Sequence, residues 1–272
     1  MNKSKILKFL VYLSAILTVS ILVFIIFYIL KNGITHIDKD LFALNYNSEN
    51  CSVIPALINT FIITFCGLLL ACPLGIMSAI YLTEYAKKDN RLVKIISLTT
   101  ETLAGIPSII YGLFGMLFFS ITLKLGFSLL AGSMTVAIMV LPLIMRTTEE
   151  ALLSVPDSYR EGSFGLGAGK LRTLAKIVLP SAMPGILNGI ILASGRIVGE
   201  TAALIYTAGS VAQIPKNIFG SGRTLAVHLY LLSSEGLHTN KAFATCVVLL
   251  VFVIAINSVS NILSKKIGKK YE

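Results

Sequence analysis

Residues 50–83 read NCSVIPALINTFIITFCGLLLACPLGIMSAIYLT, 34 positions without a charge, bounded by Glu49 and Glu84. An α-helix needs about 20 apolar residues to cross the hydrocarbon core of a bilayer. The run is therefore too long for one upright helix and too short for two helices with a turn. It reads as one span, about Ala56 to Leu82, preceded by an interfacial lead-in at Ser52 to Pro55. This count decides the fold, because it fixes the side of the membrane on which every later loop falls.

Upstream, Phe9 to Leu30 is charge-free and follows Lys3, Lys5 and Lys8. A cleaved signal peptide would have a shorter apolar region and a small-residue cleavage site, so this reads as an uncleaved first span. Downstream, a third span runs from about Ile95 to Leu123 and includes Glu101. A fourth runs from Gly126 to Met145 and ends at Arg146. A fifth runs from Pro184 to Ala208 with Arg196 and Glu200 inside it, and a sixth from Ala242 to Leu263 before a basic tail. The expected fold is an all-α polytopic membrane protein with about six transmembrane helices.

Composition agrees. Hydrophobic residues make up 55% of the chain and charged residues 13%, about half the charged share of a soluble domain. Mean hydropathy is +0.83. The net charge of +10 does not point to nucleic acid, because the Lys and Arg residues flank apolar runs as residues facing lipid headgroups do. With the N-terminus inside, 16 of the 23 Lys and Arg fall in cytoplasmic segments, six fall outside, and Arg196 lies within the membrane. That bias places both termini in the cytoplasm. Reading residues 50–83 as two spans would invert the later loops and break the rule. Cys51, Cys66, Cys72 and Cys246 form no CxxC pair or Cys/His cluster, so no metal site or disulfide framework is expected. His36, His228 and His238 have no metal spacing, and no specific role is expected of them.

The segment Arg146 to Pro180 is 35 residues long, far beyond the usual helix connection of about 2–8 residues. Pro156 and Asp157 read as a helix start, with a short helix over Tyr159 to Leu166. Gly167 and Gly169 can end it in a left-handed turn. A second helix is expected over Leu171 to Val178, stopped before Pro180. The stretch from Gly165 to Leu171 is superficially like a phosphate loop. It lacks the glycine needed at Phe164 and the Ser or Thr needed at Leu171, and no strand precedes it. No nucleotide, cofactor or catalytic residue set is read in this chain, so it is not expected to be an enzyme.

Glu161-Gly162-Ser163, then Gly167, then Ile177, Leu179 and Pro180, closely resemble the EAA loop of bacterial ABC-importer permeases, with Gly162-Ser163 where two alanines are usual. Leu103 to Gly115, Leu141 to Ala151 and Gly195 to Ala202 resemble the phosphate-importer permeases, and Pro180 to Gly185 resembles their PstA-type subunit. The similarity runs from about residue 52 to the C-terminus. The resemblance implies a type I ABC-importer permease fold with three parts. Residues 1–51 form the first span and an outer loop, 52–264 the permease domain with a coupling loop at 146–180, and 265–272 a basic cytoplasmic tail. It implies a bacterial plasma-membrane subunit that forms half of a path for inorganic phosphate. Its partners would be a PstC-like permease subunit, two ATP-hydrolysing subunits gripped through Glu161, Gly162, Ser163, Gly167, Ile177, Leu179 and Pro180, and an extracytoplasmic phosphate-binding protein. A permease for another oxyanion, such as sulfate or molybdate, is the nearest alternative; a secondary transporter is a more distant one.

Arg196 and Glu200 stand out without the resemblance. They lie about 18 Å and 24 Å beyond Pro184 along a helix, near mid-membrane. A charge at that depth costs at least ~2.5 kcal/mol and faces a cavity or a partner. Spacing of i,i+4 puts both on one helix face, where they can pair. One reading is a structural salt bridge. The other is an anion pathway, in which the planar Arg196 fork meets phosphate oxygens and Glu200 holds it. The resemblance also points to this pair in phosphate passage.

Overall fold

The computed structural model describes residues 2–87 and 91–268, and no strand occurs among them. Lys88 and the tail residues 269–272, which entered the charge count, lie outside the described residues. The long helices are α1 (Asn2–Gly33), α2 (Ile54–Ile80), α3 (Arg91–Ala104), α4 (Ser108–Gly115) and α5 (Leu129–Leu153). There follow α6 (Asp157–Gly165), α7 (Lys170–Thr173), α8 (Leu179–Val198), α9 (Ala202–Ile205), α10 (Leu225–Glu235) and α11 (Thr239–Gly268). Among the described residues five helices are long and apolar enough to cross a membrane, and the bent pair Val93–Ala104 and Ser108–Thr122 makes a sixth crossing if counted as one.

The 50–83 run holds a single span, as read: one apolar helix from Ile54, continued by a π turn to Tyr85. α2 starts at Ile54 with Pro55 in its first turn, where a missing N–H costs nothing. α2 and α8 both pack on the central α5 through glycines. A Cβ at Gly75 would lie 2.9 Å from Ile144 Cγ2, and one at Gly189 would lie 2.0 Å from Thr147 Oγ1. Lipid is as apolar as a leucine side chain, so helices in a bilayer associate through such close backbone approach rather than through the hydrophobic effect. Ile63, Val136, Val140, Ile144, Ile197 and Leu204 fill the resulting core. α1 is unburied across its apolar window. It touches α11, with Tyr28 edge-on to Phe243 at 5.8 Å.

Four expectations need correction. The third span is not straight: α3 and the following helix meet at 102°. Pro107 disfavours helix at Ile106, and the freed carbonyls of Thr102 and Leu103 take the Gly105 and Ile106 N–H groups instead. α5 continues to Leu153, two turns beyond Met145. The helix after Gly169 does not stop before Pro180 but runs unbroken from Lys170 to Val198. A π turn over Leu174–Val178 accounts for this, since the wider turn makes room for a residue that has no N–H to give.

The fifth span ends at Val198 rather than Ala208. Residues 199–224 turn back as irregular chain around the short α9. Irregular backbone at such depth survives where protein groups satisfy it. Here Ser128, Leu129 and Leu130 N–H donate to the carbonyls of Thr207, Gly220 and Ile218, which also serves the open N-terminus of α5. On α2, Asn59 Nδ2 donates to Gln213 O and Arg223 O, and Thr60 Oγ1 accepts from Leu225 N.

Candidate transport and coupling sites

α6 and α7 cap one end of the bundle. Gly167 between them has φ +80, and a Cβ there would meet nothing within 4 Å. The glycine is thus required by backbone conformation, which would cost another residue about 1–2 kcal/mol, and not by space. Ser163 is buried, and its hydroxyl lies 2.8 Å from Thr173 Oγ1 on α7. The serine that departs from the two-alanine pattern therefore clasps the two short helices together. Gly162 faces open space.

Gly162, Ser163, Gly167 and Ile177 line one groove of about 540 Å³ with Tyr159 and Arg172. Glu161, Leu179 and Pro180 are not in its wall. Leu174 and Val178 seat the π turn against Ala151, Leu152 and Ala182. Around the groove Tyr159, Phe164 and Leu171 are exposed, and Leu166 is 91% exposed. Apolar side chains collected at one end of a molecule mark a surface for a protein partner.

A second cleft, of about 590 Å³, lies between α3, α5 and the end of α8. Ser97, Thr100 and Glu101 come from α3, Arg146, Thr147 and Glu149 from α5, and Arg196 from α8. The bend after α3 leaves Glu101 on the same cleft as Arg196. Arg146 pairs with Glu150 at 3.1 Å, both side chains being more than half exposed.

The expected Arg196–Glu200 pair does not form: no ion pair of either residue exists among the described residues. The helix ends before Glu200, so i,i+4 geometry no longer applies. Glu200 is buried and its Oε1 accepts from Ala203 N at 3.0 Å, capping α9. The structure thus leaves Arg196 facing the cleft and Glu200 holding the re-entrant chain.

Sequence reasoning missed three groups. Glu84 was read as the boundary of an apolar run, yet it pairs with Arg160 at 2.8 Å. The signal was available, because Arg160 immediately precedes the Glu161 motif. Arg223, counted as a loop charge, is 6% exposed and lies 4.5 Å over the Tyr46 ring. His228, given no role, is fully buried on α10, and its Nε2–H donates to Cys51 O at 3.2 Å. Burial, and then the Arg223 charge, push its pKa well below the ordinary value.

An apolar helical bundle with membrane-length helices, a polar cleft between them and an exposed apolar groove at one end has the build of a membrane transport subunit. Residues 71–271 match the family described as binding-protein-dependent transport system inner membrane component, and the chain belongs to that family. It is 33% identical to the probable ABC transporter permease protein YqgI of Bacillus subtilis, over 95% of this chain and 94% of the relative. It is 32% identical to the phosphate transport system permease protein PstA of Haemophilus influenzae, over 93% of this chain and 91% of that one. PstA 1 of Mycobacterium tuberculosis is 35% identical over 74% of this chain and 67% of its own length. The fold is that of type I importer permeases. A chain of the alginate ABC transporter superposes with a TM-score of 0.69 at 18% identity, over 94% of this chain and 95% of that one. A chain of the MetNI methionine transporter gives 0.62 at 22% identity, over 79% and 94%.

Proposed function

We propose that this chain is a permease subunit of an ATP-driven phosphate importer and forms half of the path for inorganic phosphate. Family membership and the PstA names of several relatives support the reading. The observation that carries it is Arg196: a partly buried guanidinium with no carboxylate partner among the described residues, opening into a cleft that also holds Arg146. A permanently charged planar fork suits phosphate oxygens; Arg146 on the same cleft is already paired with Glu150, which leaves Arg196 as the cation free to meet an anion among the described residues. A PstC-like subunit would supply the other half of the path. Glu200 contributes by fixing the chain that follows Arg196.

Of the two ATP-hydrolysing subunits, one would dock at the α6–α7 groove through Gly162, Ser163, Gly167 and Ile177, with Glu161 beside it and Leu179 and Pro180 continuing the helix into the membrane; the other would dock on the PstC-like subunit. An extracytoplasmic binding protein would deliver phosphate to the opposite face. The chain itself breaks no bonds; hydrolysis belongs to the partners. In this reading both termini lie in the cytoplasm of a bacterium. Residues 1–51 are the N-terminal span and outer loop, 52–264 the transport domain with its coupling loop at 146–180, and 265–272 a basic cytoplasmic tail.

Uptake of radiolabelled phosphate in a strain lacking this gene, complemented with variants, tests the reading. Arg196→Lys is expected to insert and assemble normally yet to lose at least about tenfold in uptake, because charge without the fork does not suffice. Normal phosphate uptake in the deletion strain, or uptake competed by sulfate or molybdate but not by phosphate, would overturn the assignment of substrate.

A further inference from the structure

α2 ends, at the face that carries α6, in a π turn over Tyr81–Tyr85, closed by Ala86 N–H on Tyr81 O at 2.9 Å. The turn aims two consecutive side chains at two different helices. Glu84 Oε1 accepts from Arg160 Nη2 at 2.8 Å and Nε at 3.2 Å. The same guanidinium donates to Leu152 O at 2.9 Å and Val155 O at 2.8 Å, and reaches Asp157 at 3.3 Å. One side chain on α6 therefore binds the end of α2 and the end of α5 together. Tyr85, the next residue, carries Lys170 Nζ of α7 at 4.8 Å from its ring centroid.

This junction differs from a surface ion pair. The Arg160 and Glu84 side chains are 15% and 10% exposed, against 60% and 64% for Arg146 and Glu150. An exposed pair contributes little, whereas removing one partner of a buried pair strands the other charge. None of Glu84, Tyr85 and Arg160 lines the groove assigned to the ATPase. Their contacts join α2 to α5, α6 and α7, while Glu84 and Arg160 line a separate cleft of about 400 Å³ and Tyr85 is exposed. From the π turn α2 continues to its glycine contacts with α5, at Gly75 on Ile144 and Gly67 on Val136. Arg146 of the cleft lies two residues from Ile144 on α5.

We propose that the Tyr81–Tyr85 turn is the strut that makes α2, α6 and the start of α7 move as one body, so that displacement of the docking helix reaches the transport cleft along α2. Glu84 and Arg160 are its positioning residues. The proposal rests on the reading of α6 and α7 as the ATPase-coupling element.

The test uses the whole importer, in cells and after purification with its partner subunits. Glu84→Gln and Arg160→Gln are each expected to cut uptake about tenfold at equal amounts of membrane-inserted protein, while ATP hydrolysis by the purified complex stays within about twofold. Arg160→Lys keeps a cation beside Glu84 and the α5 carbonyls but loses part of the fork, so it is expected to retain more uptake than Arg160→Gln. Undiminished uptake in both glutamine variants, or Arg160→Lys no better than Arg160→Gln, overturns the strut.

Should the single variants fail to insert, Glu84→Cys with Arg160→Cys on a cysteine-free background, joined by a short bifunctional thiol reagent, decides the matter. Retained uptake after cross-linking supports joint motion, and loss on cross-linking means that α6 must leave α2, which overturns it. Gly167→Val serves as the control for the underlying reading. If that variant transports normally, the coupling role and the strut both fall. If it is inactive while the Glu84 and Arg160 variants transport, only the strut falls.

Discussion

Arg196 and Glu200 are four residues apart, and helical spacing alone pairs them. Tertiary structure separates them, because the helix stops at Val198 and the Glu200 carboxylate is taken by Ala203 N. The consequence can be measured. If the two were a structural salt bridge, Arg196→Leu combined with Glu200→Leu would regain what Arg196→Leu loses, as apolar exchange of buried pairs often does. With no pair present, the double variant is expected to transport no better than the single one, and to insert less well because α9 has lost its cap. Recovery of near-normal phosphate uptake in the double variant would contradict this. His228 gives a pH dependence. Its folded pKa is depressed by burial and by Arg223, so between that value and the ordinary one near 6.5 the unfolded chain holds more protons. Stability from this site is therefore complete above about pH 6.5 and is lost as the pH falls toward the depressed value. Thermal unfolding of the purified protein should show a smaller acid-induced drop for His228→Gln than for wild type. An equal drop would place the acid sensitivity elsewhere.

At the scale of elements, the α6–turn–α7 unit holds by a glycine conformation and a hydroxyl contact. Gly162 sits in the helix with open space around it. Gly162→Ala is expected to stabilise α6 by about 0.5–1 kcal/mol, since glycine pays more backbone entropy and no neighbour objects to a methyl group. Ser163→Ala removes the hydroxyl that meets Thr173, at a cost of about 1 kcal/mol. Thr173 keeps its bond to Gly169 O at 3.2 Å, so no buried donor is orphaned and the cost stays moderate. Hydrogen–deuterium exchange over residues 157–178 should slow in the first variant and quicken in the second. The same rate in both would mean that the unit is held from outside, by Arg160 and Lys170, rather than by its own contacts. The element also explains why Pro180 misled the sequence reading. A proline stops an ordinary helix, but the π turn before it removes the conflict, and the choice of that turn follows from how Leu174 and Val178 seat against α5 and α8.

For the molecule as a whole, the assigned topology makes a plain prediction. On a cysteine-free background, single cysteines at Lys8, Lys87 and Lys170 should react with impermeant reagents from the cytoplasmic side. Those at Asn47 and Glu235 should react from outside. Labelling of position 87 from outside would mean that the 50–83 run had been counted wrongly and would invert every later loop. The unburied apolar face of α1 suits it to lipid on the outside of the bundle, consistent with a family match that begins only at residue 71.

What the sequence determined by itself was whatever depends on local composition and spacing. Charge-free runs of membrane length gave the spans, because every backbone group in lipid must be paired within a helix. Gly167 announced the turn between α6 and α7, because few other residues accept its conformation. Ordered motifs pointed to the family. Tertiary structure decided what depends on residues far apart in the chain. The fold of 199–224 back on α5 set the end of α8, freed Arg196 from Glu200 and buried Arg223 and His228. The bend at Pro107 brought Glu101 to the cleft, and Arg160 found Glu84 across 76 positions. A side chain's neighbours along the chain are fixed by spacing, but its partner across a bundle exists only once the helices have packed.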